Sequence, residues 1–105
     1  MSRLIIRPAA EADIQEASDW YDGEERGVGV RFIDELRNTF ARVRETPLQF
    51  PNIGRGIRRA LLRRFPYAIY FVLRGERQSV VIAVLHQRRN PVAWKKRLGV
   101  EVETG

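Results

Sequence analysis

The sequence predicts an α+β domain: an N-terminal strand and an α-helical hairpin packed on an antiparallel β-sheet, in the order β-α-α-β-β-β with a short C-terminal helix. Three observations predict it. Apolar residues recur at helical spacing through the first half, the period switches to two beyond residue 57, and Pro- and Gly-containing stretches separate the segments.

Each element has its own signal. "RLIIR" at 3–7 is a short strand, and Pro8 marks the change to a helix. Ala10, Ile14, Ala17 and Tyr21 form that helix's apolar stripe, with Glu11, Asp13 and Glu16 toward its N-terminal end, where carboxylates favour the helix dipole. "DGEERGVG" at 22–29 breaks it. A second helix begins between Val28 and Arg31, carries Phe32, Leu36, Phe40 and Val43 on one stripe, and ends before "TPLQFPNIGRG", read as a loop. The short Gly-containing link makes the two helices an antiparallel hairpin.

Strands follow up to His86. In "YAIYFVLR" both alternating sets are fairly apolar, as in a central strand. "SVVIAVLH" is the next strand, and the turn "RGERQ" with Gly75 pairs the two as an antiparallel hairpin. The segment at 57–64 precedes them, set off by Pro66, which cannot donate to a ladder. "NPVAWKKRL" at 90–98 reads as a last helical turn or two, with Pro91 at its first position and Trp94 packing back.

A chain of 105 residues can bury one core, so residues 1–105 are expected to form a single domain. There is no cysteine, hence no disulfide framework and no thiolate chemistry. Neither a secretory signal nor an apolar run of membrane-spanning length is present, and a cytoplasmic protein without membrane contact is expected.

Charge is segregated along the chain. Residues 1–54 hold seven arginines against ten carboxylates, whereas residues 55–97 hold twelve Arg or Lys against Glu76 alone, and the total is +6. So basic a block sustains a positive field that attracts nucleic acid, an acidic protein segment or anionic lipid. In strands, Arg58 and Arg64 would share one face and Arg59 and Arg63 the other, near strand ends.

Chemistry-bearing residues are few. His86, the single histidine, ends the last strand beside "QRR"; it suits proton transfer, and it equally suits a half-buried position on the face of Ile82 and Val84 with a backbone hydrogen bond. Trp20, Tyr21 and Trp94 could stack on bases, but their helical positions among apolar neighbours favour core packing. One histidine and scattered carboxylates give no metal site, and no cofactor is implied.

Taken in order and spacing, "ADIQEASDWYD", "GVRFIDELRNTF", "TPLQFPNI", "FPYAIYFVL" and "VIAVLHQRRNPVAW" resemble the toxins of the RelE/ParE superfamily of type II toxin–antitoxin modules, over residues 3–98. The resemblance implies a growth-inhibiting toxin held in a hetero-oligomer with a small antitoxin, whose acidic C-terminal segment lies along it. Arg58, Arg59, Arg63, Arg64, Arg88 and Arg89 are the candidate residues for meeting that antitoxin or the target.

The superfamily has two mechanisms: RelE-type members cut mRNA at the ribosome, and ParE-type members inhibit DNA gyrase. The nucleases resemble one another in an arginine where the "FPY" strand begins and an arginine and a tyrosine just after the last strand. Tyr67, Gln87 and Ala93 stand at those places here. A shift of one or two residues brings Arg88 into the second, but no tyrosine follows Tyr70. The resemblance therefore favours a ParE-like gyrase inhibitor. The alternatives are a ribosome-dependent endoribonuclease using His86, Arg88, Arg89 and Arg64, or a member that binds its antitoxin with weak or no toxicity.

Overall fold

A computed structural model of the chain describes residues 2–88 and 94–97. Strand β1 (Arg3–Ile6) leads into helices α1 (Pro8–Glu24) and α2 (Val28–Glu45), then a 3-10 turn (Pro47–Gln49) and strands β2 (Asn52–Gly54), β3 (Ile57–Leu61), β4 (Tyr67–Arg74) and β5 (Gln78–His86). Residues 94–97 are helical, as expected for part of the C-terminal helix; the expected first position, Pro91, lies outside the described residues. Among the described residues no helix is long and apolar enough to cross a membrane.

The sheet order is β1-β5-β4-β3-β2. From β2 to β5 the strands pair antiparallel in chain order, including the expected β4–β5 hairpin, whereas β1 departs from the expected antiparallel sheet by joining β5 in parallel, pairing Arg3 with Gln78 and Ile6 with Val81. The helical hairpin is the crossover that a parallel pairing requires. Strand β2 was not expected: three residues inside a Pro- and Gly-rich stretch carry no readable period.

The hairpin covers one face of the sheet. Phe32, Leu36, Phe40 and Val43 of α2 and Ala10 and Ala17 of α1 are buried against Ala60, Tyr67, Ile69, Phe71, Val81 and Val84. Truncating a core ring such as Phe32 to alanine removes about 3–5 kcal/mol. At one end of this layer Tyr21, Phe32, Phe65 and Tyr67 pack ring to ring, with centroids 4.9–5.9 Å apart, tying both helices to the bend before β4. The opposite face buries a second cluster of Ile57, Ala68, Tyr70, Val80, Ile82, Ala83 and Leu85, against which Trp94 packs. Central strands β4 and β5 are thus apolar on both sides.

The β4–β5 ladder slips at Tyr70 and Phe71, whose partners are Ala83 and Val81. Ile82 is the extra residue of a bulge, so Ile82 and Ala83 both face the second cluster. That slip sets the face on which His86 emerges.

Candidate functional site

The basic stretch after residue 57 does not form one surface. Strand β3 ends at Leu61, and residues 63–66 form a bend, so the strand alternation expected to sort four arginines onto two faces holds for Arg58 and Arg59 alone. Arg58 shares a strand face with Ala60, under the helices, and its Nη1 donates to the carbonyl of Phe50 at 2.6 Å. Arg59 lies on the other face, opposite Tyr70 in the ladder. Its guanidinium interacts with the Tyr70 hydroxyl, and its buried Nε has no hydrogen-bond partner among the described residues. Burial pushes the Tyr70 phenol above its ordinary value near 10, and the Arg59 charge and hydrogen bond partly offset this. Trp94 stacks on Tyr70 with centroids 5.4 Å apart and planes 9° from parallel.

Arg63 and Arg64 are exposed on the bend and line an open hollow of about 860 Å³ with Arg31 and Arg42 of α2. Both oxygens of Glu35 accept the Arg64 backbone N–H, at 2.9 and 3.1 Å, which pins the bend to α2 and leaves the Arg64 side chain pointing to solvent. Asp34 and Glu25 also line the hollow, so its charge is mixed.

His86 sits elsewhere. The bulge places it with Val84 and Tyr67 on the helix side, not with Ile82 as the sequence suggested. It is half-buried; its ring meets that of Tyr67 edge-on at 5.3 Å, and its Nδ1 accepts the backbone N–H of Arg88 at 3.0 Å. The small depression in front of it, about 90 Å³, is lined by Asp13, Glu16 and Trp20. The Glu16 carboxylate there opposes entry of a phosphodiester, whereas Asp13 is already paired with Arg97. Trp20 is 45 % exposed, so it is not the core residue expected; Tyr21 and Trp94 pack as expected.

Arg63 and Arg64 therefore share a hollow, whereas His86, Arg59 and Arg58 lie in three other environments. Arg88 is exposed in the turn after β5, and Arg89 lies outside the described residues. Two residues with structural consequence escaped the sequence reading. Asp13 was read as a dipole-favouring residue of α1, but its Oδ2 accepts the Val84 N–H at 3.0 Å and its two oxygens hold Arg97. Glu35 showed no signal beyond its place on α2. Among the described residues, no three histidine, aspartate or glutamate groups gather as a cation site.

Comparison with known proteins agrees with this architecture. No curated protein matches the chain in sequence. A chain of the chromosomal ParDE TA system from P. aeruginosa shares the fold at 18 % identity and a TM-score of 0.72, over 82 % of this chain and 96 % of that one. The family model for the ParE toxin of the type II toxin–antitoxin system parDE matches residues 4–91. The strand, helical hairpin and meander thus carry a sequence pattern that names them, and the chain belongs to the ParE toxin family of type II toxin–antitoxin systems.

Proposed function

We propose that this toxin arrests growth by binding DNA gyrase in the cytoplasm and is silenced by a cognate antitoxin. The observation that carries the reading is the separation of Arg64 from His86 and Arg88, residues a ribonuclease would use together. Cleavage by a 2′-hydroxyl needs a base, an acid and cations around one phosphate. Here Arg88 follows His86 in the turn after β5, but Asp13 and Glu16 line the depression in front of that histidine and Arg64 lines a different hollow. Among the described residues that arrangement does not gather a base, an acid and cations around one phosphate, whereas binding a large protein needs anchors and a complementary field instead of a proton-transfer group. Family membership supports the antitoxin, and the exposed Arg63, Arg64 and Arg88 suit an acidic partner segment.

The test uses purified chain in two assays. Inhibition of gyrase supercoiling, equal in wild type and His86→Gln, with ribosome-bound message left intact, is the expected result. Codon-positioned cuts in translated mRNA, lost on changing His86 or Arg88, would instead establish an endoribonuclease. Unimpaired growth at verified soluble expression would leave an antitoxin-binding protein without toxicity.

A further inference from the structure

Among the described residues a group of arginines without charge partners lies away from the candidate sites above, across the end of the sheet where β1 and β5 begin. Arg3, Gln78 and Arg74 are direct cross-strand partners on β1, β5 and β4, so their side chains leave the same face in one row. Two strand spacings put the bases of Arg3 and Arg74 about 10 Å apart. Arg77 stands in the turn beside the row, and Arg44 comes from the last turn of α2; with Arg3 they line an open pocket of about 570 Å³ that has no carboxylate among the described residues of its wall.

The bases of these arginines are fixed. The Arg3 N–H donates to the Arg77 carbonyl at 2.5 Å and the Ser2 N–H to the Arg44 carbonyl at 2.6 Å, and the buried Ser2 and Ser79 hydroxyls bond each other at 2.6 Å. All four guanidinium groups are on exposed residues, and none has an ion pair or side-chain hydrogen bond among the described residues. Glu45 and Glu76 are the nearest carboxylates in sequence, lining the adjoining hollow on the other side of Ser2, and leave the arginines in excess.

We propose that this row is a contact surface for the phosphate backbone of a nucleic acid. Three features favour that ligand class. Arginine forks match phosphate oxygens in pairs. Arg3 and Arg74 stand in line with Arg77 beside them, which suits a polyanion with repeated phosphates and the counterion release that accompanies it, whereas a lone small anion on so open a surface would be screened. The line runs across the strand ends, so an acidic polypeptide adding to edge strand β1 would run at right angles to it and meet Arg3 alone. Among the described residues the pocket wall carries no aromatic ring, so the contact positions a backbone and reads no bases. The inference does not depend on gyrase being the target.

The experiment measures binding of the full chain to a labelled DNA duplex of about 20 base pairs by fluorescence anisotropy across a salt series. The test variant is Arg3→Gln, Arg74→Gln, Arg77→Gln; the charge-matched control is Arg26→Gln, Arg37→Gln, Lys96→Gln, all exposed positions elsewhere. The hydrogen bonds of Arg3 and Arg77 noted above are backbone bonds, so the test variant retains them, and its melting transition verifies folding. The expected result is an affinity loss on the order of 10-fold or more at low salt and a log–log salt slope shallower by about 2–3, with the control near wild type. Equal losses in the two variants would overturn the proposal in favour of undirected net charge. So would displacement of the duplex by poly-glutamate of matched charge, or by millimolar inorganic phosphate at constant ionic strength.

Discussion

The carboxylate of Asp13 holds the guanidinium of Arg97 through both oxygens, Nη1 at 2.5 Å and Nη2 at 3.2 Å, while its Oδ2 also takes the Val84 N–H. The location explains the arrangement. Strand β1 pairs with β5 no further than Val81, so beyond that point the outer edge of β5 has no strand beside it among the described residues. Asp13 satisfies a donor on that edge, and Arg97 reaches the Ile82 carbonyl at 3.4 Å. One side chain of α1 thus ties together the sheet edge and the C-terminal helical turn.

Asp13→Ala is expected to destabilise the fold by about 2 kcal/mol, because it strands a partly buried N–H and an arginine together. Arg97→Ala should cost less, since its side chain is 28 % exposed against 10 % for Asp13. Chemical denaturation of both single variants and the double variant checks this; strictly additive losses would show that the pair is not coupled.

Gly29 and Asp22 make a second coupled pair. The Gly29 N–H donates to Asp22 Oδ1 at 2.9 Å, so the end of α1 caps the start of α2. A Cβ at position 29 would lie 2.5–2.6 Å from the Asp22 carboxylate. Gly29→Ala should therefore lower stability by about 1 kcal/mol through loss of the cap, despite alanine's better helix propensity. In an Asp22→Ala background the same change should be neutral or stabilising. Thermal melts of the four proteins decide it, and a loss from Gly29→Ala in both backgrounds would remove the steric account.

These pairs show where sequence reading stops. The stripe of Phe32, Leu36, Phe40 and Val43 was legible because helical periodicity repeats a local preference, and all four are buried. The hairpin turn at Gly75 was legible for the same reason, a positive φ of 63° that glycine accepts freely. Asp13 and Val84 are 71 residues apart, and no local pattern signals such a bond. The face of His86 was misread because a bulge at Ile82 shifts the alternation, and a bulge leaves no mark in a run of uniformly apolar residues. The positions of Arg63 and Arg64 were misread because the strand stops at Leu61, earlier than the residue pattern suggested.

Tyr70 gives a prediction with a definite sign. Its folded-state pKa is raised above 10 by burial, so above pH 10 the unfolded chain loses this proton first and stability falls as pH rises; below pH 10 the full contribution is present. Tyr70→Phe should remove that part of the alkaline loss. It should also cost about 1–2 kcal/mol at neutral pH, because Arg59, whose Nε already lacks a partner, loses the hydroxyl acceptor. Stability measured against pH for both proteins is the check, and parallel curves above pH 10 would contradict the buried phenol.

The last prediction concerns encounter with the acidic partner segment proposed above. Arg63 and Arg64 project from a bend held by Phe65 in the aromatic cluster and by Glu35 on the Arg64 backbone, so reversing their side-chain charge leaves the contacts that shape the bend in place. The double variant Arg63→Glu, Arg64→Glu should therefore melt near wild type while associating with an acidic partner segment about 10-fold more slowly at low salt. The difference should shrink as ionic strength rises toward 0.5 M, where the Debye length falls to about 4 Å and exposed charges act over contact distances alone. Dissociation should change little, because exposed rim charges act mainly on the rate of encounter. Stopped-flow association at several salt concentrations measures each quantity. A rate unchanged at low salt would make the bend a solvated surface, and a large change in dissociation would place Arg63 or Arg64 among the anchors.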